Sequence, residues 1–308
     1  MDFIDFKNEH EFKKVVENNN SAPLKSKVSI CVQTYQHINY IKECLDGILM
    51  QKTNFEFEIL LGEDHSSDRT RDICIDYASR YPDKIRLFLH HRENNIKIGG
   101  QPTGRFNFLY NLYSANGKYI ALLEGDDYWT DPLKLQKQVD FLEEYEEYVG
   151  VFHNTAFIDE RQPNSKLKPW RNYTQDIFTA QDTIRKLSLF HTSSYCFRNL
   201  EFDLEYLLIK HLISADMMLL GLISKFGKLK LIDETMSVYR KNEGGVTSSE
   251  SKIKYHRNRI ALNKALNKYF NNEFQDHANK ILMYHKNELF KIKHPSLYKF
   301  YKKLTPIV

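Results

Sequence analysis

Four short apolar runs, interleaved with helical patterns, constrain the fold of this chain more than any other feature. They are VSICV (Val28 to Val32), FEILLG (Phe57 to Gly62), KIRLFLH (Lys84 to His90) and KYIALLE (Lys118 to Glu124). Between the first two, Ile41, Leu45, Ile48 and Leu49 share one face of a helix expected from Asn39 to Met50. After the second, Asp68 or Thr70 can cap a helix running to about Arg80. Apolar runs that alternate with helices predict an α/β chain with a Rossmann-like, mostly parallel central sheet covered by helices on both faces.

Ligands of such sheets bind beyond the carboxyl ends of the strands. Gln33, Thr34 and Tyr35 follow the first run, Glu63 and Asp64 the second, and Glu124, Gly125, Asp126 and Asp127 the fourth, so three segments converge on one edge. Each carboxylate there raises the cost of ionising the next. Protonation, a Lys or Arg, or a hard divalent cation such as Mg²⁺ or Mn²⁺ would relieve that cost; such a cation takes one or two carboxylates and fills its other positions with water and phosphate oxygens. Asp131 before Pro132 is explained more simply as a helix start.

The second half reads as mixed. It holds a strand from Gly150 to Ile158, a polar loop to about Gln175, helical stretches at Asp203 to His211 and Ala215 to Phe226, and a late pair of strands, Lys228 to Ile232 and Thr235 to Arg240. The loop Lys241 to Glu250 is rich in Gly and Ser. We expect a lead-in over residues 1–26, a main domain over 27–249 divided at 138/139, and a helical extension over 250–308.

At 308 residues and 42% hydrophobic, the chain can bury a sizeable core. No basic, apolar and small-residue order marks a signal peptide, and the most apolar stretch, Tyr206 to Ser224, is broken by Lys210, His211 and Asp216, so a cytoplasmic location is expected. Cys31, Cys44, Cys74 and Cys196 form no CxxC pair and are expected as buried free thiols. The net charge of +4 hides an asymmetry: residues 251–308 hold 13 Lys or Arg against 3 Asp or Glu, a balance of +10, which leaves −6 on the first 250. Leu297, Phe300, Tyr301 and Leu304 in that tail fall at helical spacing. Attachment to an anionic membrane surface at its inner face and packing on the protein or a second copy are both open readings of the tail; no nucleic-acid motif occurs.

The segments VSICVQTYQHINYIKECLDGILMQ, ILLGEDHSSDRT, GRFNFLYNLYSANGKYIALLEGDDYWTDPLKLQKQ and SADMMLL resemble the family 2 inverting glycosyltransferases of the GT-A fold, over roughly Lys27 to Ser248. The resemblance implies a nucleotide-sugar-binding half (27–138) and an acceptor-binding half (139–249). It implies that Asp127 ligates Mn²⁺ or Mg²⁺, that Asp126 lies near the ribose or sugar, and that Gln33, Tyr35, Asp64 and Arg105 hold the nucleotide. It implies Asp216 as general base, in an apolar sequence setting (Leu212, Ile213, Met217, Met218, Leu219) that would favour such a role. His191 and Thr192 are candidate acceptor contacts, although a satisfied buried histidine explains His191 equally well. The implied activity is transfer of a sugar, UDP-linked, to a glycan or lipid-linked acceptor in polysaccharide biosynthesis. A nucleotidyltransferase would need a Gly-rich basic loop where QTYQH stands, and a receiver domain or a non-catalytic nucleotide-sugar-binding module would not need Asp127 together with Asp216. The chain departs from the pattern of the family it resembles at Arg69, where Gly is common, at Glu124, the first acid of the metal motif, and at Asn242, where His is common.

Overall fold

The computed structural model describes residues 1–23, 25–98, 100–209, 212–243 and 252–298. Residues 244–250 of the Gly/Ser-rich loop, and Phe300, Tyr301 and Leu304 of the expected terminal stripe, lie outside them.

Among the described residues eleven strands form the main sheet, seven of them longer than two residues. These are β1 (Val28–Thr34), β2 (Phe57–Glu63), β3 (Ile85–Leu89), β4 (Tyr119–Glu124), β5 (Tyr148–Asp159), β6 (Cys196–Arg198) and β7 (Lys228–Lys241), in the spatial order β3-β2-β1-β4-β6-β5-β7. β3, β2, β1 and β4 are parallel, β6 runs antiparallel to β4 and β5, and β7 returns parallel to β5. The lead-in is more than a helix: after α1 (Phe3–His10), Val16 and Glu17 pair antiparallel with Leu89 and Phe88 and cap the sheet edge.

Period-two alternation assigns each central strand to two cores. Val28, Ile30 and Val32 of β1, Ile59 and Leu61 of β2, and Ala121 and Leu123 of β4 point into one, with α2 (Ile41–Leu49), α3 (Thr70–Arg80) and α5 (Lys134–Glu144). Cys31, Leu60, Ile120 and Leu122 point into the other, with α1, α4 (Arg105–Ser114), α6 (Ala215–Ser224) and α7 (Lys252–Tyr269), followed by α8 (Gln275–Lys293). All four cysteines are buried and free, as expected.

Two close approaches fix the layers. A Cβ on Gly62 would sit 1.7 Å from Asn107 Oδ1, so a larger residue there would displace the Asn107 amide, which donates to the Gly62 carbonyl at 2.8 Å and ties α4 to β2. A Cβ on Gly221 would sit 2.1 Å from Leu266 Cδ2, at the crossing of α6 and α7.

Three local expectations change. The late pair of strands is one bent strand, β7, whose ladder shifts register around Asp233 and Glu234 instead of turning back. The helix expected from Asp203 is a short 3₁₀ segment, Leu204–Leu208. Arg69 adopts the left-handed conformation itself, at φ 73°, so the turn before α3 keeps the shape that glycine would ease. Asp68 offsets the strain by accepting hydrogen bonds from Thr70 N (3.0 Å), Thr70 Oγ1 (2.6 Å) and Ile38 N (3.1 Å).

Candidate active site

Because β1, β2 and β4 are parallel neighbours, their carboxyl ends meet at one edge, with Gln33 in register with Glu124 and Thr34 with Glu63. Glu63 is absorbed into structure there, accepting from Ser66 N at 2.7 Å and pairing with Arg71. The residues around it form three groups.

The first lies beyond β1 and β2. Asp64 is buried; its Oδ2 accepts from Arg92 Nη1 at 2.5 Å and from Asn95 Nδ2 at 3.0 Å, while its Oδ1 is buried without a partner. Desolvation pushes its carboxyl up to about 6, although Arg92 and Asn95 pull the other way. The Arg92 guanidinium also lies 3.9 Å over the ring of the exposed Tyr35, so one cation ties the two expected nucleotide contacts into a single surface. Both polar atoms of the buried Gln33 amide lack partners as well. Buried polar atoms are rarely left so, and a planar heterocycle with N–H and carbonyl edges would satisfy them.

The second group lies beyond β4. Asp127 is buried, accepts from Arg240 N through Oδ1 at 2.9 Å, and holds Oδ2 free of hydrogen bonds among the described residues, 3.9 Å from His191 Nδ1. Burial, then the charge of Asp126, pushes its carboxyl well up. Asp126 accepts from Asn242 Nδ2 at 2.9 Å and lies 3.9 Å from His37 Nε2. Glu124 is pushed up to about 8, first by desolvation and then by the charges of Asp126 and Asp216. The positive charge here is Arg240, from the end of β7: it donates to the Asp126 carbonyl at 2.9 Å, pairs with Glu43 and with Glu160 (3.2 Å), and stacks 4.1 Å over Tyr128. A carboxylate with one bonded and one open oxygen, beside a second carboxylate, is a hard-oxygen set that fits Mg²⁺ or Mn²⁺. Among the described residues no cluster of three or more His, Cys, Asp or Glu is arranged to hold an ion, so an ion here would draw its remaining ligands from donor and water.

The third group centres on α6. Asp216 sits in its first turn and is half-buried, in contrast to the apolar surround expected from its sequence neighbours: Met217, Met218 and Leu219 turn into the core while Asp216 stays outside it. Its charge acts on Glu124, which places it at the acidic edge. Arg105 is tied to this group, and it forms no hydrogen bond or ion pair with Asp64 or Tyr35 among the described residues. Its Nη2 donates to the carbonyls of Leu212 (2.8 Å) and Ile213 (3.0 Å), its Nη1 is buried and unpartnered, and burial lowers it to about 10 against the opposing charge of Asp216. From the far side Asn258 of α7 accepts from Ile213 N at 2.8 Å and donates to Ser214 Oγ at 2.9 Å.

His191 borders the second group. It is partly buried, bonded to Ser193 Oγ at 2.8 Å, with its ring tilted 4.3 Å from that of Tyr239, and is pushed down to about 3 by desolvation, so it is a neutral wall beside Asp127. Thr192 follows in the same short turn and is buried. Sequence reasoning missed Arg92, Arg240 and Asn258; a cation shortly after one strand end, and one at the end of another, is the local signal the first two give.

A family model for glycosyl transferase family 2 matches residues 29–206. An uncharacterized protein of Mycobacterium tuberculosis, Rv1520, is 33% identical over 230 residues, 72% of this chain and 61% of that protein, so the chain spans less than two thirds of that relative's length. An uncharacterized glycosyltransferase of Nostoc, alr2836, is 28% identical over 224 residues, 70% of this chain and 64% of that one. Among solved structures, residues 1–349 of Staphylococcus aureus TarS, in complex with UDP-GlcNAc, share the GT-A fold at a TM-score of 0.60 and 18% identity, over 86% of this chain and 73% of that one.

Proposed function

Since the chain belongs to glycosyl transferase family 2, we propose that it moves a sugar from a UDP-linked donor to a hydroxyl of a glycan or lipid-linked acceptor, with inversion at the anomeric carbon. The observation that carries this reading is the convergence on one sheet edge of an unpartnered acceptor at Asp64, an open carboxylate oxygen at Asp127 and a half-buried Asp216.

In this reading Asp64 Oδ1 accepts the N3–H of uracil, and the Tyr35 ring, held by Arg92, covers the base. Gln33 supplies an amide to the same nucleotide. Asp126 lies toward the ribose or sugar, and Asp127 would hold Mn²⁺ or Mg²⁺. Such an ion, when bound, offsets the negative charge that develops on the departing diphosphate.

Asp216 takes the proton of the acceptor hydroxyl as that oxygen forms its bond to the anomeric carbon; the bond from that carbon to the β-phosphate oxygen breaks, and its electron pair leaves with UDP. His191, neutral, and Thr192 line the acceptor side. Glu124, protonated at neutral pH while the edge is empty, spares the site one negative charge beside Asp216.

The test is Asp216→Asn. Donor binding should stay within a few-fold of the parent while transfer falls by roughly 10²- to 10⁴-fold, the usual loss for a general base. Transfer at the parent rate would assign the base elsewhere; equal loss of binding and transfer would make Asp216 a structural residue.

A further inference from the structure

Helix α8 carries two faces. Ala278, Ile281, Leu282 and His285 are buried against the body. On the opposite side Met283 and Phe290 stand 63% and 43% exposed, and Leu297, just past the helix end, is 58% exposed. At about 100° per residue, Met283 and Phe290 lie within about 20° of one line along the helix. Lys280, Lys286 and Lys293, all exposed, fall within about 80° of that line on its two sides. The hairpin as a whole, residues 252–298, holds ten Lys or Arg against three Asp or Glu, whereas the first 250 residues sum to −6.

We propose that this lysine-flanked ridge is a docking face for an anionic phospholipid surface, which α8 meets lying flat. Apolar side chains enter the interface and the lysines on either side reach headgroup phosphates. No helix of the described residues is long and apolar enough to cross a membrane, so the contact is with the surface. Charge selects this occupant over a second copy of the chain: a two-fold pairing through the ridge would set lysine against lysine, and like charges across an interface repel. Glu288, the acid nearest the ridge's middle, is already paired with Lys291 at 2.5 Å, and Asp276 lies a turn away from the ridge, at the start of the helix. The inference is independent of the reaction proposed above, since it rests on the outer face of α8 alone.

The test is co-sedimentation of the full chain with phosphatidylglycerol-rich and with pure phosphatidylcholine vesicles. Binding is expected to the first and to weaken with salt. Each lysine near such a surface accounts for roughly fivefold in partitioning, so the triple change Lys280→Glu, Lys286→Glu, Lys293→Glu should lower it by at least about a hundredfold. Met283→Ser with Phe290→Ser should lower it too, while circular dichroism stays that of the parent. A fluorophore on Met283→Cys reads the same contact without disturbing charge, because the native cysteines are buried; its emission should shift to the blue with anionic vesicles only. Absence of vesicle binding, or binding that neither set of changes alters, overturns the proposal. A concentration-dependent dimer that Met283→Ser dissolves, with no vesicle binding, assigns the ridge to a second copy instead.

Discussion

Asp64 shows how a single residue sets a testable condition. Its carboxyl is raised to about 6 in the folded chain, so it is mainly protonated below that pH and ionised above it. Only the ionised form offers Oδ1 purely as an acceptor. Uridine binding should therefore weaken as pH falls from about 8 to about 5, approaching tenfold per unit once below 6. Calorimetry with uridine itself keeps phosphate titration out of the measurement, and Asp64→Asn should bind weakly with a flat profile. An affinity of the parent that does not change with pH would remove Asp64 from the base. That acids gather at this edge was legible in the sequence, because strand ends can be read from apolar runs. The cations that answer them were not. Arg92 and Arg240 reach Asp64 and the Asp126–Asp127 pair only through folding, across 28 and 114 residues of chain in the hydrogen bonds they make. Arg105 could be seen as a member of a motif, but its bonds to Leu212 and Ile213 lie 107 and 108 residues away.

At the scale of elements, the segment Leu212–Ser214 is held between α4 and α7. Arg105 takes its carbonyls and Asn258 its amide groups, and Asp216 lies in the first turn of the helix that follows. Asn258→Ala leaves the Ile213 N–H without its acceptor and should cost about 1–3 kcal/mol of stability. Because it touches no substrate, its catalytic effect should appear in kcat with the donor KM unchanged, and Asn258→Asp, which keeps the acceptor, should recover most of it. Equal kcat in Asn258→Ala and the parent would show that the clamp does not position Asp216. The strands β1, β2 and β4 were legible as unbroken apolar runs, because both of their faces are covered, and the helix α2 was legible by its period. Helix α4 was not, because it is buried on every side and its polar residues face inward: Asn107 bonds Gly62 and Asn111 bonds Val32. β7 read as two strands because Asp233 and Glu234 interrupt its apolar pattern, where the chain bends and continues.

Across the whole molecule, the C-terminal hairpin is part of the body. Leu262, Ala265, Leu266, Phe270, Ala278 and Ile281 belong to one hydrophobic cluster with α4, α6 and the central strands. The charge asymmetry was legible by counting, but helical spacing records only that a stripe exists and not what covers it. The other long-range tie is β7, which spans the second half of the sheet and delivers Arg240 to the acidic edge opened by β4. With no donor present, removal of divalent ions by EDTA should shift the thermal midpoint by less than about 2 °C, whereas Arg240→Ala should lower it by several degrees; a large EDTA effect would mean that an ion, not Arg240, holds the edge together. The chain thus carries its own resident counter-charge. In the proposed reading, such a chain needs no ion to stay folded and intact between one donor and the next.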